Sequence, residues 1–172
     1  MTTNRTLLLM RHGKSDRDSG TTDDFSRPLS RRGLRDAPRI GKWLAENGLI
    51  PAYIACSPAV RTNETALLVC NGADISTDRI YHDERLYLAS LGDLLAVLRD
   101  ISAGPEPLML IGHNPGLEDL LLYLAGDAAA HSGRRKIMPT AALAHLQFTG
   151  NTPAPGSVRL LTLLRPRELP AS

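Results

Sequence analysis

Cysteine is scarce in this chain, and so are long apolar runs and any surplus of one charge. Only Cys56 and Cys70 occur, both in apolar surroundings ("YIACS" and "ALLVCNG") and without CxxC spacing. That argues against a disulfide or a metal pair and predicts two buried, reduced thiols, as a cytoplasm would keep them. No stretch approaches the roughly 20 apolar residues of a membrane span, and the run in "MTTNRTLLLM" is too short for a signal peptide. A cytoplasmic protein with no membrane partner is therefore expected. Twenty Lys and Arg against eighteen Asp and Glu leave a formal charge of +2, too balanced for a chain devoted to a nucleic-acid backbone, so any anion should meet a local site. Internal repeats and low-complexity segments are absent too. The 172 residues, 42% of them hydrophobic, suffice for one globular domain over 1–172 with a sizeable core.

What is present alternates. Short apolar runs at 7–10, 53–56, 108–111 and 159–164 read as strands buried on both faces, and 142–148 as a strand with one wetter face. Between them, Leu34, Ala37, Gly41 and Leu44 share a helical face, as do Leu91, Leu94, Leu95 and Leu98, and again Leu117, Leu120, Leu121 and Leu124. The alternation predicts an α/β fold, a three-layer α/β/α sandwich on a mostly parallel sheet. Ser57 with Pro58, and Asn114 with Pro115, read as helix caps followed by proline at the first helical position. Pro38 suggests that the first helix, which starts near Ser30, begins late or kinks. Residues 16–28 and 126–140 read as loops.

The first strand ends on Arg11 and His12, Arg61 lies early in the helix after the second strand, and His113 ends the strand "LMLIGH". Strand ends of a parallel sheet face one crevice, so these four side chains can converge. A phosphoryl group suits them, because arginine offers paired donors to tetrahedral oxygens and capped helix starts add positive dipole ends. Nearby guanidinium groups favour a neutral imidazole, which is what a histidine nucleophile needs. His12 is the predicted nucleophile, Gly13 keeps bulk away at a sharp turn, and His113 is a donor to the transferring oxygens.

"RHGKS", "SPAVRTNETA", "DERLY" and "GHNPGLEDL" in this order resemble the histidine phosphatase superfamily, the phosphoglycerate mutase-like fold. The short chain, "RPLSRRG" and "PTAALAHL" are similar to the SixA-type phosphohistidine phosphatases. The resemblance spans residues 6 to about 165. It implies that His12 is phosphorylated, that Arg11, Arg61 and His113 form the phosphate pocket, and that Glu84 donates a proton to the leaving group, with Asp83 its rival. Asn114 stands where other members have Asp, and Lys14 where many have Glu. The implied function is removal of phosphate from phosphohistidine on a partner protein, without metal or other cofactor. The alternatives are a phosphatase of small phosphomonoesters and a module that binds a phosphorylated partner without turnover.

Plainer roles exist for each residue: His12 as a satisfied strand-end histidine, His113 as support for the helix beginning at Pro115, and Glu84 as a solvated carboxylate at a strand end. Arg61 could pair with Glu64 across one turn, and Ser57 could cap its helix, donate to the phosphate, or both. His12, His113 and Glu84 could hold zinc, but the arginines would repel a cation. His82, His131 and His145 lack a motif. The basic clusters "RRGLRD" and "GRRK" read as solvated faces or as a rim that steers a phosphorylated partner.

Overall fold

The computed structural model describes residues 4–130 and 136–170. Strands β1 (Asn4–Arg11), β2 (Tyr53–Cys56), β3 (Ile80–His82), β4 (Leu108–Gly112), β5 (Leu143–Thr149) and β6 (Val158–Leu164) form one sheet in the order β3-β2-β4-β1-β5-β6. β3, β2, β4 and β1 are mutually parallel, whereas β5 runs antiparallel to both of its neighbours. The expected mostly parallel sheet is therefore present. Helices α1 (Arg31–Glu46) and α2 (Val60–Ala73) cover one face, and α3 (Leu91–Ile101) and α4 (Gly116–Ala125) the other.

The pleat divides the core. Leu7 and Leu9 of β1 join the α3–α4 cluster with Leu108 and Leu110, while Leu8 and Met10 join the α1–α2 cluster with Met109 and Ile111. Burial on both faces is why these strands read as unbroken apolar runs; the run 159–164 does not share it, because β6 is the antiparallel edge strand, with Arg159 and Leu161 exposed. Cys56 and Cys70 are free and buried in the second cluster, and burial pushes both thiols up.

Four further expectations need correction. First, α1 is continuous through Pro38, capped by Ser30, whose hydroxyl accepts the Gly33 N–H. Helix-to-helix packing outweighs the hydrogen bond that proline forfeits, because α1 and α2 touch backbone to backbone. A β-carbon at Gly72 would collide with the Pro38 carbonyl, and one at Gly41 with the Val69 carbonyl. The buried stripe of α1 consequently runs through Gly33, Asp36, Ala37, Ile40, Gly41 and Leu44, and leaves Leu34 at 47% exposure. Second, α2 starts at Val60 with Ala59 in the cap position, not with Ser57 and Pro58 there. Third, Pro115 itself occupies the cap position of α4, and the Asn114 amide donates instead to the Met138 carbonyl. Fourth, the stretch 126–140 includes a short helix, α5 (Asp127–Ala130).

The α1–α2 contact gives a stability test. Gly41→Val forces the two helices apart, and overpacking of this kind costs about 1–3 kcal/mol, occasionally more. Urea unfolding followed by circular dichroism should show a lower midpoint, and an unchanged midpoint would mean the helices have room to separate.

Candidate active site

The carboxyl ends of β1, β2 and β4 lie side by side, Arg11 opposite Gly112 and Cys56 opposite Ile111. The ladder continues past the strands, with His12 N–H donating to the Gly112 carbonyl and Ser57 N–H to the Ile111 carbonyl, both at 3.1 Å. Ser57, His12 and His113 are thus set by backbone pairing, a more rigid mount than a loop offers. Gly13 has no unusual backbone angle. Its role is close approach, since a β-carbon would lie 3.2 Å from the Gly33 Cα, and its N–H donates to Thr65 Oγ of α2 at 2.9 Å.

His12 is 7% exposed and His113 5%, and their ring centroids are 5.1 Å apart. His12 Nδ1 lies 2.7 Å from the Gly13 carbonyl. A carbonyl only accepts, so Nδ1 carries the proton and Nε2 keeps its lone pair. Burial, opposed by that hydrogen bond and reinforced by Arg61, Arg11 and Arg27, lowers the His12 pKa to about 4. His113 has the opposite tautomer. Arg61 Nη2 donates to its Nδ1 at 3.2 Å, so its Nε2–H donates to Ser57 Oγ at 2.8 Å. Burial, then His12 and Arg61, lower the His113 pKa to about 3.

Arg61, one residue into α2, is 2% exposed. It does not pair with Glu64, whose carboxylate accepts the Leu29 N–H. Its partner is Asp24, which takes Nη2 on its carboxylate at 2.9 Å and Nη1 on its backbone carbonyl at 2.6 Å. The Nε–H groups of Arg11, Arg61 and Arg27 are buried without a partner among the described residues. Buried guanidinium groups with spare donor capacity beside a neutral imidazole suit an anion. Among the described residues no group of three or more His, Cys, Asp or Glu side chains is placed to hold a metal.

Residues 7–94 match the family model of the histidine phosphatase superfamily, branch 1. The chain belongs to this superfamily. As a histidine phosphatase superfamily member it is similar to the uncharacterized protein Rv1276c of Mycobacterium tuberculosis, with 33% identity over 148 residues, covering 83% of this chain and 89% of the relative. Among solved structures, SixA from Agrobacterium tumefaciens superposes with a TM-score of 0.78 at 25% identity, covering 94% of this chain and 97% of that one. The protein histidine phosphatase SixA complexed with tungstate shares the fold, with a TM-score of 0.77 at 20% identity and the same coverage, 94% and 97%.

Placed in this histidine phosphatase frame, Arg11, His12, Ser57, Arg61 and His113 come together. Glu84 does not join their hydrogen bonds. It is exposed on the turn Glu84–Leu86 after β3, and its carboxylate has no partner among the described residues. Asp83 is held by the Arg85 backbone N–H and guanidinium, bonds that keep its carboxyl below the usual range and so ionised. Ser57 Oγ accepts from His113 at 2.8 Å and, more weakly at 3.4 Å, from the N–H of Ala59 at the start of α2, while the Val60 N–H goes to the Phe25 carbonyl. His82 bonds Asn63 at the surface, His145 is half-buried in β5, and His131 lies outside the described residues.

Sequence reasoning missed Asp24, Tyr87 and Met138. Tyr87 OH donates to Asp24 Oδ2 at 2.9 Å, and its ring packs edge-on to both Phe25 and His113. Burial opposes ionisation of Asp24, but the Tyr87 hydroxyl and Arg61 outweigh it and hold its pKa below the usual range. Met138 offers its carbonyl to Arg11 Nη1 at 3.1 Å. Tyr87 closes the "DERLY" stretch, so its place was visible though its role was not, whereas no fixed spacing links Asp24 or Met138 to the motif residues.

Proposed function

We propose that this protein is a phosphatase that works through phosphohistidine at His12 and removes phosphate from phosphohistidine on a partner protein. The observation that carries the reading is the tautomer of His12, neutral near pH 7 with Nε2 unprotonated beside partnerless guanidinium donors. Nε2 attacks phosphorus, the bond from phosphorus to the leaving nitrogen or oxygen breaks, and that atom leaves with its electron pair. Arg11 and Arg61 take the charge developing on the equatorial oxygens. The Ser57 hydroxyl, which accepts from His113, keeps its own proton for a phosphoryl oxygen. Water then attacks the phosphohistidine, and inorganic phosphate leaves with His12 restored. These steps need no metal, so EDTA should leave the rate unchanged. The protein substrate rests on the likeness to SixA proteins.

Glu84 separates the two substrate classes. A phosphomonoester expels an alkoxide, for which a positioned proton donor is worth roughly 10²- to 10⁴-fold. A phosphohistidine expels an imidazole with a pKa near 6.5, and solvent can protonate it before the bond breaks. The Glu84 side chain, unlike that of Asp83, is not tied up by Arg85, which leaves it the candidate to bring a proton to such a leaving group. Glu84→Gln should therefore slow alkyl phosphate hydrolysis strongly and dephosphorylation of a phosphohistidine peptide only slightly, read as kcat/KM for each. A large loss confined to phosphohistidine would reverse the assignment.

A further inference from the structure

The basic face of α1 is not simply solvated. A cleft of about 810 Å³ opens beside it, lined by Arg32, Arg35 and Arg39 together with Lys136, Arg165 and Arg167. Asp36 is the one acidic residue of that lining, and three arginines share it, Arg35 at 2.8 Å, Arg39 at 3.6 Å and Arg32 at 3.8 Å. With a formal charge of only +2 on the whole chain, such a surplus on one side is a local arrangement. Arg165 is 6% exposed, and its Nε–H is buried without a partner among the described residues. Two of its guanidinium contacts are long, 3.3 Å to Glu168 and 3.3 Å to the Ile137 carbonyl. Arg165 lines the cleft with its guanidinium only loosely paired, so an anion there gains charge-assisted hydrogen bonds from it and its cationic neighbours.

The cleft adjoins the phosphate pocket. Its Pro139–Thr140 wall leads straight into Ala141, whose N–H lies 3.1 Å from the Arg11 carbonyl and 3.0 Å from that of His12. Arg32 donates to Thr140 Oγ at 2.9 Å. Lys14, two residues after His12, is depressed first by burial and then by Arg17, Arg32, Arg11 and Lys136. Cationic charge therefore runs from Arg11 through Lys14 into the cleft.

We propose that this cleft is a second anion subsite that binds carboxylate side chains of the protein substrate while the phosphohistidine occupies the pocket at His12. The proposal rests on the protein-phosphohistidine reading above. Carboxylates suit the lining because arginine forks bind them in pairs of parallel hydrogen bonds. A nucleotide suits it less, since the lining holds no aromatic ring to stack a base.

The test uses two phosphohistidine peptides, one with Asp and Glu flanking the phosphohistidine and one with Ser and Gly there, and p-nitrophenyl phosphate as a substrate too small to reach the cleft. In the wild type the acidic peptide should have a KM about tenfold lower, an advantage that salt erodes. Arg35→Glu combined with Arg167→Glu should abolish that advantage and leave p-nitrophenyl phosphate turnover within twofold, which also shows that the variant folds. Arg35→Ala alone should remove part of it. Equal KM values for the two peptides in the wild type, or an advantage that survives the double variant, would overturn the proposal. So would tripolyphosphate inhibiting the wild type, but not the double variant, at concentrations where an unphosphorylated acidic peptide has no effect. If neither phosphohistidine peptide is turned over while p-nitrophenyl phosphate is, the substrate reading fails instead. The cleft is then judged by fluorescence anisotropy of the unphosphorylated acidic peptide, which must bind the wild type and not the double variant.

Discussion

His12→Ala loses turnover by at least about 10⁴-fold, the scale on which removal of a covalent nucleophile is felt, and with it every trace of acid-labile label after quenching. Nothing else in the pocket can take its place. His113 has Nδ1 occupied by Arg61 and gives its only proton to Ser57, and the buried thiols of Cys56 and Cys70 are held protonated by burial. Rapid quench with labelled phosphate donor measures both quantities in one experiment. Residual label in the variant would move the covalent step to another residue. In the wild type, a His12 pKa lowered to about 4 sets the sign of the pH dependence. The nucleophile is neutral above that value and protonated below it. Once the titration of the substrate itself is divided out, the acid limb of kcat/KM should fall near 4, not near the ordinary 6.5.

Arg61→Ala has the second largest effect, about 2–4 kcal/mol of transition-state stabilisation, or roughly 30- to 1,000-fold in kcat/KM. The variant loses a buried donor poised for the phosphoryl oxygens and the contact that fixes the His113 tautomer. It also leaves Asp24 without its buried partner. A second signature distinguishes this from a folding defect. Arg61 helps to hold both histidines neutral, so its loss should move the acid limb upward. Arg61→Lys should recover little, because a point charge cannot reproduce the fork that reaches Asp24 and His113 together. A variant within about threefold of wild type, with an unmoved acid limb, would place Arg61 outside the chemistry.

The parts of the fold that could be read in advance are those with one dominant force. β1, β2 and β4 lie inside the sheet, so burial on both faces leaves an apolar signature, although the edge strand β6, with Arg159 and Leu161 exposed, carries a similar run. The strand-end motif residues follow, since parallel strands carry Arg11, His12 and His113 to one edge. Where two forces compete, local rules failed. Ser57 has the sequence of a cap, but the His113 ring claims its hydroxyl. Pro38 should interrupt α1, but backbone contact with α2 at Gly72 holds the helix whole. Asp24 was illegible for another reason. It is one of four aspartates between residues 16 and 24, and only the folded loop shows that it reaches Arg61 while Asp23 caps its own turn.

The composition of the pocket also has a thermodynamic consequence. Its orphaned guanidinium donors and its two imidazoles kept neutral are a burden on the folded state alone, since the unfolded chain solvates all of them. An oxyanion that binds only the native protein should raise the melting temperature well beyond a general salt effect. Saturation at a hundredfold over Kd corresponds to about 2.7 kcal/mol, roughly 5–10 °C for a chain of this length. Acid acts in the opposite sense. Between the ordinary histidine value of 6.5 and the depressed values of about 4 and about 3, the unfolded chain binds protons that the native site refuses. Stability is therefore complete above 6.5 and declines as the pH falls through that window. A bound oxyanion draws the imidazolium forms back into favour and flattens the decline. Phosphate or tungstate should thus protect this protein most at pH 5, where chloride of equal ionic strength does not.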